Sequence, residues 1–117
     1  MKSKNQRYDS DLLRGNTDVL LLFLISELDM AYGYRLIKEI EKRSHGFFQF
    51  KEGTVYPALH KLENEGLVQA EWTSFSSGLE RRYYTITEKG KAVLQNRLTM
   101  WQNFANAMDL VFKPAAG

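Results

Sequence analysis

Residues 53–66 of this 117-residue chain read GTVYPALHKLENEG. Val55, Leu59 and Leu62 recur at helical spacing, while Tyr56, His60, Lys61 and Asn64 lie off that face. Gly66 suits the left-handed residue that stops a helix. Pro57 constrains the start, because a missing N–H costs nothing only in a first turn. The segment is therefore predicted to be a helix that begins at Thr54, a good N-cap, or just before it.

The reading extends in both directions from there. Upstream, Leu36, Ile37 and Ile40 form the apolar stripe of a helix from Gly33 to Ser44, stopped at Ser44-His45-Gly46. Phe47 to Lys51 reads as an extended connector. Before these, Val19 to Ile25 is the longest uninterrupted apolar run. A membrane span needs roughly 20 such residues, so the run belongs to a buried helix. That helix is expected to start at a Ser10 cap, pass Gly15 at a cost of roughly 1 kcal/mol, and end near Leu28. Residues 1–8 are polar and expected to fray. Met30-Ala31-Tyr32-Gly33 reads as a turn.

Downstream, Leu67–Phe75 and Arg82–Thr87 carry the β-branched and aromatic residues of two strands. Ser76-Ser77-Gly78-Leu79-Glu80 joins them as a hairpin turn. Thr87 caps a last helix that runs to about Phe112 and stops at Pro114. At 1.5 Å per residue it is roughly 40 Å long, too long to lie wholly on so small a body. Leu94, Leu98, Trp101, Ala105, Met108 and Phe112 follow a coiled-coil spacing, and Val93, Met100, Phe104, Ala107 and Val111 add a second apolar row. Such a helix is expected to dimerise.

Composition narrows the function. The chain has no cysteine and two histidines, which excludes disulfides, thiol chemistry and a His-rich metal site. No paired-carboxylate motif or Gly-rich phosphate loop is present, so neither an enzyme nor a bound cofactor is expected. The start, MKSKNQRYDSD, lacks the apolar stretch of a signal peptide, and a cytoplasmic protein without a membrane partner is expected. The formal charge of +2 conceals an even split: residues 1–86 hold twelve basic and twelve acidic residues. Binding to nucleic acid must then rest on where the charges sit.

Three helices followed by a hairpin is the order of a winged helix-turn-helix. The expected fold is mainly α with a small β-hairpin: a winged helix-turn-helix over residues 1–86, a dimerisation helix over 87–113 and a tail over 114–117. The third helix would enter the major groove of double-stranded DNA, with the hairpin as the wing. Lys51, Thr54, Tyr56, His60, Lys61, Asn64, Arg81 and Arg82 are the expected DNA-binding residues. Cations suit phosphates, the helix start suits an anion, and His60, Lys61 and Asn64 suit base edges. Each also has a plainer use. Lys61 and Asn64 fit a solvated helix face, Tyr56 a core, the two histidines a surface or a cap, and Arg81-Arg82 the protection of a strand edge. A ligand-sensing or protein-binding winged-helix module without DNA specificity is the alternative.

At Gly33-Tyr34, Gly53-Thr54-Val55-Tyr56-Pro57-Ala58-Leu59, Leu62-Glu63-Asn64-Glu65-Gly66-Leu67-Val68, Trp72, Arg81-Arg82-Tyr83-Tyr84, Thr87 and Gly90 the chain resembles the PadR family of transcriptional regulators. The resemblance covers essentially residues 12 to 112. It implies a winged-helix homodimer that represses transcription at a palindromic operator. The single last helix resembles the short subgroup, some members of which hold flat aromatic or cationic compounds at the dimer interface against a tryptophan. Trp101, eleven residues after Gly90, occupies that register. Leu94, Leu98, Met100, Trp101, Phe104, Ala105, Met108 and Phe112 are thus the expected dimer and ligand residues, the ligand being a planar aromatic effector. Trp101 would serve equally to fill the seam between two helices. No acidic residue lies near Trp101 on the helix to offset a cationic guest.

Overall fold

The computed structural model describes residues 15–74, 77, 78 and 80–114. The Ser10 cap, the frayed residues 1–8, the strand end at 75, the turn positions 76 and 79 and the tail residues 115–117 lie outside the described residues. Helix α1 spans Thr17–Glu27. It begins later than the sequence suggests because Gly15 does more than weaken a turn. Its φ is +84°, a left-handed value that a right-handed helix cannot pass through.

Strand β1, Ala31–Tyr32, occupies what the sequence presents as a turn. Two residues are too few for an alternating pattern, and only pairing with a distant strand makes them one. Helix α2, Gly33–Arg43, follows directly. It ends as expected, with Gly46 at φ +82°. The connector ring of Phe48 stacks on Phe50, which is buried.

Helix α3 spans Glu52–Asn64 with Lys51 as its N-cap residue. The start is therefore earlier than Thr54. The Lys51 carbonyl accepts from the N–H groups of Thr54 and Val55, which places the cap three residues ahead of the expected one. Pro57 consequently falls in the second turn. The helix tolerates it because the residue four positions back is exposed Gly53, whose carbonyl water can reach. Gly66, at φ +78°, stops the helix.

Strands β2, Val68–Ser74, and β3, Glu80–Ile86, pair antiparallel from Val68 opposite Ile86 to Ser74 opposite Glu80. β1 adds to the other edge of β3, with Ala31 opposite Tyr84 and Tyr32 opposite Tyr83. The result is a three-stranded sheet in the order β1-β3-β2. One face of the hairpin carries Val68, Ala70 and Trp72 against Ile86, Tyr84 and Arg82, which takes it from core to solvent along its length.

The core lies where the three helices meet the base of that sheet. Leu21 and Leu22 of α1, Leu36 of α2, Val55, Leu59 and Leu62 of α3 and Val68 of β2 are fully buried. Helix α4 spans Glu88–Phe112. The Thr87 hydroxyl accepts from the Gly90 N–H at 2.9 Å and donates to the Gly66 carbonyl at 2.7 Å. The end of α3 and the start of α4 are thus held together. Leu94 is buried, and Val93 and Leu98 pack on the core from the side. The fold is mainly α with a small antiparallel sheet and a long C-terminal helix. Among the described residues, no helix is long and apolar enough to cross a membrane.

Candidate nucleic-acid interface

Helix α3 buries one face, and its other faces have distinct duties. At about 100° per residue, Gly53, Pro57, His60 and Asn64 form the ridge opposite the buried Val55, Leu59 and Leu62. All four are exposed. Lys61 and Thr54 lie on the flank toward α1. Tyr56 and Glu63 lie on the other flank, toward the hairpin.

Both flanks are tied down. The Lys61 ammonium donates to the Asp18 carboxylate of α1 at 2.8 Å. That hydrogen bond, followed by the charge of Asp18, raises the Lys61 pKa above its ordinary value. Arg82 of β3 donates through one nitrogen to both carboxylate oxygens of Glu63, at 2.7 and 2.9 Å. Its Nε is buried without a partner. The pair removes Glu63 from the set of free carboxylates beside the ridge.

The cations expected at DNA therefore separate into two groups. Lys61 and Arg82 are held by carboxylates. Lys51, at the head of α3, is exposed. Arg81 lies over the Tyr32 ring at 4.1 Å, and among the described residues no carboxylate pairs with it. Thr54, His60 and Asn64 are exposed. His45, just beyond the end of α2 with a φ of 52°, is also a surface residue.

Tyr56 is half-exposed, and its ring lies on Gly33 so closely that a Cβ there would overlap it. Burial, then the charge of Glu52, raises the Tyr56 phenol, against an opposing effect of Arg81. A cleft of about 480 Å³ opens between Tyr56, the start of α2 and the hairpin, with Tyr34, Trp72, Arg81 and Arg82 on its walls. Trp72 is 65% exposed. Flat rings beside guanidinium groups can pack on sugars and bind phosphate at once.

Sequence reasoning missed Asp18, Tyr32, Gly33 and Trp72 as parts of this surface. In the helix expected from the Ser10 cap Asp18 lies in the interior, and only the observed start at Thr17 brings it into a first turn. Tyr32 enters only through β1. The alternation of β2 does carry the signal for Trp72, since it shares a face with Val68 and Ala70.

The residues expected at a dimer or ligand surface divide along α4. Leu94 and Leu98 belong to the core and its edge. Met100, Trp101, Phe104, Met108 and Phe112 are exposed, as are Leu110 and Val111, with Ala105 intermediate. Trp101 borders two hollows. One, of about 440 Å³, is lined by Val19, Leu20, Phe23, Phe47, Phe48 and Leu98, with Asn16 at its edge. The other, of about 380 Å³, lies toward Arg97, Met100 and Phe104.

This geometry has relatives. A sequence model of the transcriptional regulator PadR-like family matches residues 21–96. A protein of Lysinibacillus sphaericus is 39% identical over 101 residues, covering 86% of this chain and 92% of its own length. The negative transcriptional regulator PadR of Bacillus subtilis is 31% identical over 70 residues. That match takes in 60% of this chain but only 38% of the regulator's length. A solved transcriptional regulator from Clostridium thermocellum superposes with a TM-score of 0.80 at 28% identity, over 89% of this chain and 97% of that one. The matched span runs from the core of α1 through α2, α3 and the hairpin into α4, and so includes every residue of the α3 ridge. The chain belongs to the PadR-like family of transcriptional regulators.

Proposed function

We propose that this regulator is a sequence-specific DNA-binding repressor that works in the cytoplasm as a homodimer on a palindromic operator. Residues 1–86 act as a winged helix-turn-helix, and residues 87–113 act as the dimerisation helix. In this reading α3 is the recognition helix and the β2–β3 hairpin is the wing. The observation that carries it is the α3 ridge: Gly53, Pro57, His60 and Asn64 are exposed and bear no carboxylate, while the nearby Glu63 is neutralised by Arg82. Gly53 has open space where a Cβ would stand, which lets the start of the helix approach a base edge closely. His60 and Asn64 supply donors and acceptors. Lys51 and Arg81 supply charge for phosphates on either side. A gel shift with a palindrome selected by the protein tests this. Retention of that palindrome over a scrambled duplex at equal salt is expected, and equal retention of both would refute the reading.

The two hollows at Trp101 favour a second role for the same molecule, the sensing of a planar aromatic compound. The indole and the Phe23, Phe47 and Phe48 rings offer faces for stacking. Quenching of fluorescence by such compounds should vanish in Trp101→Phe. Equal quenching in that variant would assign the signal to Trp72 and remove the role.

A further inference from the structure

Asp18 is the one buried charged residue among the described residues, with its side chain 11% exposed. It stands in the first turn of α1, where the helix dipole favours a negative charge. Its partner, Lys61, is 43 positions away on the helix that the preceding section assigns to DNA. A lysine on that helix is ordinarily counted as a phosphate or base contact, but two observations oppose this here. Lys61 lies on the flank that faces α1, off the ridge of His60 and Asn64. Its ammonium is drawn toward α1 by a carboxylate from which water is nearly excluded, and leaving that carboxylate unpaired would be costly. On the opposite flank Glu63 is held by Arg82 at 2.7 and 2.9 Å. The helix is thus held from both sides, by the body through Lys61 and by the hairpin through Glu63.

Resting on the DNA-binding reading, we propose that Asp18 and Lys61 form a positioning pair that fixes the rotation of α3 about its own axis, and that Lys61 is not itself a DNA contact. Rotation matters because side chains on a helix project about 100° apart per residue, so a small turn exchanges which of His60, Asn64 and Thr54 meets the bases. Asp18 therefore governs specificity from a position that never touches DNA.

The test compares wild type, Asp18→Asn, Lys61→Met and the double variant. Affinity for the palindrome selected by the wild type and for a random duplex is measured across a salt series, with far-UV circular dichroism to confirm folding. A positioning pair predicts that each single change weakens palindrome binding by about tenfold, and that the double change is little worse than either alone. Random-duplex binding and the slope of log affinity against log salt should not move. A phosphate contact predicts the reverse for Asp18→Asn, since freeing Lys61 would leave affinity unchanged or raise it. It also predicts that Lys61→Met lowers the salt slope by about 1 per protomer. Either of those results overturns the proposal while leaving the DNA-binding reading intact. If the wild type prefers no duplex, that reading fails and the proposal fails with it. Should Asp18→Asn not fold, the salt slope of Lys61→Met decides alone.

Discussion

At Gly90 the last helix passes so close to Leu67 that a Cβ would overlap the Leu67 carbonyl oxygen and crowd Ile86. A backbone carbonyl cannot swing aside as a side chain can. Gly90→Ala is therefore expected to destabilise the chain by about 2–3 kcal/mol in chemical denaturation. A loss under about 0.5 kcal/mol would mean that α4 docks less tightly than described. Burial is the main cause of the raised pKa at both Tyr56 and Tyr84. The folded state thus holds these two protons more firmly than the unfolded chain. The stability they contribute is complete below the ordinary phenol value of 10.0 and is lost as pH rises through the raised folded values. Absorbance titration at 295 nm should show a late-ionising step that shrinks in Tyr56→Phe and in Tyr84→Phe. A single step at the ordinary value in the wild type would contradict this. Neither Asp18 nor Glu63 advertises its role in the sequence, because their partners lie 43 and 19 positions away. Ion pairs at such separations become visible only once the topology is known.

Among the elements, α2 and α4 are legible because each carries its own punctuation, and the hairpin is legible as two strands although β3 begins at Glu80, inside the expected turn. Gly46, Thr87 and Pro114 mark ends by local stereochemistry, which folding does not override. The start of α3 lies slightly earlier than Thr54 as a cap and Pro57 in a first turn suggest. A proline can enter the second turn when the carbonyl it strands belongs to an exposed glycine, as at Gly53. β1 was illegible since its two residues become a strand only through β3. The join between α3 and the hairpin rests on Arg82 and Glu63, whose side chains are 30% and 29% exposed. Glu63→Gln leaves a half-buried guanidinium without its carboxylate, at an expected cost of about 1–2 kcal/mol. Hydrogen exchange should quicken in β2 and β3 before it does in α1. Unchanged protection in the hairpin would show that strand pairing alone holds it.

For the molecule as a whole, the apolar spacing along α4 identified the rows, but only the fold shows where they stop serving the core. Leu94 is buried, whereas Phe104, Leu110, Val111 and Phe112 are each more than 60% exposed. Exposed apolar side chains gathered at the end of α4 fit an association face. Sedimentation should therefore give a particle of two chains, and Phe104→Glu with Val111→Glu should give one chain with its helical content retained. A wild type that sediments as a single chain would remove the dimer. Operator recognition by such a dimer requires two copies of the α3 ridge, fixed relative to each other, to read two equivalent half-sites. Sequencing the DNA that the protein retains from a random pool tests that requirement directly. The expected result is a two-fold palindrome whose half-sites lie about one helical turn, roughly 34 Å, apart. Enrichment of no common sequence, or of a single site without two-fold symmetry, would contradict it.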